Sequence, residues 1–113
     1  MSESIKDLAA LTCVPCRGGI PPLESLRIEE LMKAVPGWTH KRDGVDKIER
    51  KYKFKNFKKS MEFVNKVAEI AEEQDHHPDM LIHWNEVTLT FWTHAIEGLH
   101  DNDFIMAAKI DEL

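Results

Sequence analysis

Apolar residues recur at helical spacing in Ile28, Leu31, Met32 and Val35, between the Pro21-Pro22 pair and Pro36-Gly37. That spacing predicts a first helix beginning at Glu24 or Ser25 and ending at the second proline. The period then changes from helical to two. Ile48, Tyr52 and Phe54 alternate with Lys47, Glu49, Lys51 and Lys53, the signature of a strand with one solvated face. Trp38–His40 and Val45–Phe54 flank the Asp-Gly of "RDGV" and are expected to pair as a hairpin. Asn56 is a suitable N-cap for a long second helix over Phe57–Gln74, with an apolar face of Phe57, Met61, Val64, Val67, Ala68 and Ala71. Pro78 forbids continuation, so the chain must turn between Asp75 and Asp79.

Two further strands follow, Met80–Trp84 and Val87–Thr93. A turn at Asn85-Glu86 would pair Trp84 with Val87, Ile82 with Leu89 and Met80 with Phe91, leaving Leu81, His83, Thr88, Thr90 and Trp92 on the other face. A third helix from about Asp101 offers Phe104, Ala107, Ala108 and Ile110 for packing. The order is α-β-β-α-β-β-α. Hairpins in place of crossovers make this an α+β two-layer sandwich: a four-stranded antiparallel sheet with three helices on one face. Residues 1–22 are expected to be an irregular lead-in with a short helical turn over Ile5–Leu11, and residues 23–113 the domain proper.

Composition adds boundaries. A chain of 113 residues, 42% hydrophobic and 31% charged, is sufficient for one self-sufficient core. No apolar run approaches the roughly 20 residues of a membrane span, and the N-terminus lacks signal-peptide character, so a cytoplasmic protein is expected. Cys13 and Cys16 form one CxxC; with no second pair, and glycines and prolines where a redox helix would start, it reads as loop. The net charge of −5 hides a basic stretch over residues 41–59, nine Lys/Arg against three Asp/Glu. Its strand-like alternation argues for a solvated face and against a nucleic-acid footprint.

The chemistry concentrates in "EEQDHHPDM", residues 72–80. The predicted ladder, extended, sets His77 opposite His94, so the end of the second helix and the end of the fourth strand carry His76, His77 and His94 to one rim. Three readings compete: unrelated polar groups, a metal site, or metal-free acid–base catalysis. Adjacent histidines aim apart and no HxH or HxxxH pair occurs, which is poor for a metal. Imidazoles titrating near neutrality suit proton transfer, and Glu72, Glu73 and Asp75 are at hand to fix a tautomer.

The segment Glu72–Asp103 resembles the pterin-4a-carbinolamine dehydratases. The resemblance rests on Asp75, His76, His77, Pro78, Trp84, His94 and Asp103, on "THAIEGL" and on "PGW" at 36–38, and extends over about residues 20–113. It implies dehydration of 4a-hydroxytetrahydrobiopterin to quinonoid dihydrobiopterin, the step that recycles the pterin of aromatic amino-acid hydroxylases, with no metal and no cofactor. It further implies His76 and His94 as acid and base, His77 as a binding or steering group, and Glu72 and Asp103 as supports, Glu72 for His76 and Asp103 for His94. Pterin contacts would come from Asp75, His76, His77 and Pro78 and from Trp92, Thr93, His94 and Ala95. Self-association into a dimer or tetramer is implied too, with a small-molecule pterin as the other partner and neither nucleic acid nor membrane. A binding or dimerisation role, or one in molybdopterin metabolism, is the alternative on this scaffold. His100 departs from the Ser or Thr frequent in relatives, which leaves Asp101 or Asn102 to cap the third helix.

Overall fold

The computed structural model describes residues 8–15, 18–42 and 44–113. A 3-10 turn at Leu8–Ala10 precedes α1 (Ser25–Met32), β1 (Thr39–Lys41), β2 (Lys47–Lys53), α2 (Phe57–Gln74), β3 (Asp79–His83), β4 (Glu86–Phe91) and α3 (Asp101–Asp111). The four strands are antiparallel in the order β1-β2-β4-β3. Both hairpins therefore contribute their later strand to the centre of the sheet. Ile48, Val87, Leu89 and Phe91 turn to one face and are buried under the helices with Ile28, Leu31, Val67, Ala71, Phe104, Met106 and Ile110. The α+β two-layer architecture is the one the periodicity predicts.

Three details differ from expectation. In the second hairpin Met80 pairs with Leu89, Ile82 with Val87 and His83 with Glu86, so the turn is Trp84-Asn85 and not Asn85-Glu86. Asn85 is held by the end of β2: its carbonyl accepts the Phe54 N–H at 2.7 Å, and its amide donates to the Phe54 carbonyl at 3.2 Å. Trp84 consequently takes the left-handed conformation at φ 50°. The slip is two residues, an even number, so Val87, Leu89 and Phe91 stay buried, whereas Trp84 leaves the ladder for the turn and is exposed.

The buried face of α2 is rotated from the predicted one. Ser60, Val67 and Ala71 are buried, with Phe63, Val64 and Ile70 against the core, whereas Phe57 is 49% exposed. Phe63 is drawn in by the aromatic rings of β2 and its end, lying 4.6 Å from Tyr52 and 5.0 Å from Phe54. The first hairpin has a longer loop than Asp-Gly alone would close. Pairing ends at Lys41 and Lys47, and His40 Nε2 lies 2.8 Å from Asp46 Oδ1; Asp43 of the predicted turn lies outside the described residues.

The described part of the lead-in is not loose chain. Leu8 is buried, Lys109 Nζ donates to the Ala9 carbonyl, and Asn102 exchanges two hydrogen bonds with Val14. The predicted helical turn over Ile5–Leu11 is found at Leu8–Ala10; its first three residues, and Cys16 of the CxxC, lie outside the described residues.

Candidate active site

The end of α2 builds the first wall. Asp75 closes the helix in the left-handed conformation (φ 55°, ψ 43°), where aspartate is among the few non-glycine residues tolerated. Its N–H and that of His76 both bond to the Ala71 carbonyl, reversing the chain within two residues. His76 is thereby turned inward over the sheet, its ring parallel to Phe91 (4° between planes, centroids 5.9 Å apart). His77, one residue on, faces out.

The second wall follows β4. Thr93 and Gly98 pair across a single 3-10 turn that displays His94 and Ala95. A side chain on Gly98 would meet Pro22 Cβ at 2.6 Å, so only glycine lets the lead-in cross this loop. Behind both walls lies the N-terminus of α3. His100 itself caps that helix: its Nδ1 accepts the Asn102 N–H at 3.0 Å, and the Asp103 carboxylate accepts the His100 N–H in return. The expectation that Asp101 or Asn102 would take the cap is therefore corrected. An imidazole acceptor does the work of the missing hydroxyl.

Asp103 is fully buried, and three donors converge on it. His76 Nε2 lies 2.6 Å from Oδ1; the Thr93 hydroxyl at 2.9 Å and the His100 N–H at 3.0 Å share Oδ2. A buried carboxylate on Nε2 fixes the tautomer and rotation of His76. Nδ1, with no hydrogen-bond partner among the described residues, is left to the cleft.

The carboxylate partners are exchanged relative to expectation. Asp103 serves His76, not His94, and Glu72 serves His77 at 2.7 Å, not His76. The cause is the helix end: the reversal at Asp75 leaves His77 beside the last turn of α2 and sends His76 to α3. His94 has a ring for a neighbour, stacked on Trp92 with centroids 3.8 Å apart. The predicted opposition of His77 and His94 along an extended ladder fails with the register. The two nevertheless reach the same cleft.

That cleft, about 410 Å³, is lined by Asp75, His76, His77, Pro78, Asp79, Trp92, Thr93, His94 and Ala95. Its size suits a small bicyclic molecule. Every predicted contact residue is on its surface; Glu72 and Asp103 stand behind it, as supports. A second cavity of about 330 Å³ shares Asp75 and His76 and is closed by Cys13, Val14 and Asn102. Sequence reasoning named Thr93 only as a pterin contact and His100 and Asn102 only at the helix cap, and missed that the Thr93 hydroxyl, the His100 ring and the Asn102 amide build the site. Thr93 alone left a signal: it continues the inward set of Val87, Leu89 and Phe91, and a polar group there needs a partner. Among the described residues no three His, Cys, Asp or Glu side chains are grouped as a metal ion would require.

Comparison with known proteins follows the same outline. Residues 21–113 match the model of the family described as pterin 4 alpha carbinolamine dehydratase. The crystal structure of a transcriptional coactivator/pterin dehydratase from Brucella melitensis is similar with a TM-score of 0.76 and 34% identity, over 80% of this chain and 96% of that one. A pterin dehydratase-like protein identified as a RuBisCO assembly factor in the alpha-carboxysome shares the fold alone: TM-score 0.58 and 17% identity, over 67% of this chain and 87% of that one. With the match running from the lead-in to the last residue, and the histidines, their carboxylates and the cleft within it, this chain belongs to the pterin 4 alpha carbinolamine dehydratase family.

Proposed function

We propose that this protein dehydrates 4a-hydroxytetrahydropterins, expelling the C4a hydroxyl as water and leaving the quinonoid dihydropterin. The observation that carries the reading is His76, clamped by the buried Asp103 on the wall of a cleft whose other wall displays His94. Hydroxide is a poor leaving group, so a proton must reach it as the C–O bond breaks, and the N5 proton must be taken up as the C4a–N5 double bond forms. One acid and one base on either side of a flat ring supply both transfers. In this proposal His76 and His94 take those roles, exchanging them according to the configuration at C4a. His77, half-exposed and braced by Glu72, steers the ring.

A positioned acid or base contributes about 10²–10⁴ in rate. His76→Ala is therefore expected to lower the dehydration rate by at least about 10² while leaving the folded circular dichroism spectrum intact. The measurement is decay of the carbinolamine absorbance in a coupled phenylalanine hydroxylase reaction. Unchanged turnover in that variant removes His76 from the chemistry.

A second reading rests on a different surface. Edge strand β3 and its turn leave Leu81 65% and Trp84 60% exposed, apolar area that suits a binding or assembly role. Wild-type protein that fails to accelerate the carbinolamine decay counts against the dehydratase and favours that reading.

A further inference from the structure

At the start of β2, outside the lining of the cleft, Lys47 places its ammonium 5.3 Å from the ring centroid of Trp92, the lining indole on which His94 stacks. Lys41 is its directly paired neighbour on β1, and Arg42 follows. Like charges directly opposite each other on a sheet are unfavourable. Among the described residues neither lysine has an ion-pair partner. Neither nearby acid is ion-paired to them. Asp46 is held by His40 at 2.8 Å, and Glu49, next on the same face, accepts the Thr90 hydroxyl at 3.3 Å. The lining of the cleft itself carries Asp75 and Asp79 and no Lys or Arg. An anionic group on a ring seated there is disfavoured beside those aspartates and favoured near Lys47, next to Trp92.

We propose that Lys47, backed by Lys41, selects pterins whose side chain ends in a phosphate monoester. This rests on the dehydratase reading for the ring and adds what lies beyond it. A phosphate monoester carries nearly two negative charges at neutral pH and accepts from two ammonium groups at once. The face of Trp92 attracts the Lys47 ammonium as a cation–π partner and carries no net charge to neutralise it.

The test is calorimetric binding of 6-hydroxymethyl-7,8-dihydropterin and of its phosphate monoester under nitrogen, beside dehydration assays of the matching carbinolamines. Wild-type protein is expected to bind the phosphate ester about tenfold more tightly at low salt, the preference shrinking as sodium chloride is added. Lys47→Ala should bring the two affinities within about twofold, and Lys47→Arg should retain the preference. Equal affinities in the wild type, or a preference that survives Lys47→Ala, overturns the role of Lys47. Because binding is read without turnover, the two failures separate: a retained phosphate preference with no dehydration defeats the dehydratase reading alone.

Discussion

Asp103 and Glu72 each hold one histidine, at 2.6 and 2.7 Å, yet they differ in everything that makes such a pair matter. Asp103 is out of solvent and saturated with donors, so its His76 has one orientation. Glu72 is 79% exposed and His77 52%, and water competes for both ends of that pair. Asp103→Asn keeps the shape but offers Nε2 an amide that can present the wrong group. It should lower the dehydration rate by about 10² or more, the range lost when a catalytic histidine loses its orienting carboxylate. Glu72→Gln should cost no more than a few-fold. Equal losses in the two variants, measured on the carbinolamine decay, would show that burial is not what distinguishes them. At this scale the sequence displayed the reacting groups and concealed their pairing. Three imidazoles and two carboxylates were visible, but which carboxylate meets which ring depends on a single reversal of direction at Asp75.

That reversal belongs to the element scale, where the helix end decides what the residues can do. The α2 boundaries and the Asn56 cap, whose Oδ1 accepts the Lys59 N–H at 2.9 Å, were legible because they rest on local chemistry. The rotation of α2 and the slip of the second hairpin were not. Both are set by contacts with β2, through Phe63 and Asn85, which no short window contains. The left-handed Asp75 joins the two scales, since it is what sends His76 inward. Asp75→Gly should keep or slightly raise stability, because glycine takes this conformation without the side-chain clash. Asp75→Val should cost about 1–2 kcal/mol for a β-branched residue forced to positive φ, and should also disturb the His76–Asp103 contact. Urea unfolding of the two variants checks the difference. A valine variant as stable as the glycine one would mean that the helix end is not held in that conformation.

At the scale of the whole molecule, the sheet and the helical layer are fastened together at Asp111, the last residue of α3. Its Oδ1 accepts from Trp38 Nε1 at 3.0 Å, Arg50 at 3.1 Å and the Tyr52 hydroxyl at 2.7 Å. An acidic residue at a helix C-terminus is disfavoured by the helix dipole, so these donors must offset that cost. None of this was readable from periodicity, which marks Trp38 and Tyr52 as apolar strand positions and is silent about their polar tips. The consequence is a pH dependence. Burial, chiefly, and then the bond to Asp111 and its charge raise the Tyr52 pKa above the ordinary tyrosine value, while Arg50 pulls the other way. A raised pKa means that the folded state holds the Tyr52 proton more tightly than the unfolded chain does. The resulting stability is complete below about pH 10, where unfolded tyrosine starts to ionise, and is lost as pH rises toward the folded-state pKa. Stability measured by urea unfolding should therefore fall between pH 9 and 11 more steeply in the wild type than in Tyr52→Phe, with the lysines titrating alike in both. At neutral pH the same substitution should cost about 1 kcal/mol for the lost hydrogen bond, because Trp38 and Arg50 still satisfy the carboxylate. Parallel alkaline declines in the two proteins would mean that Tyr52 ionises as it does in water and that the Asp111 junction does not protect it.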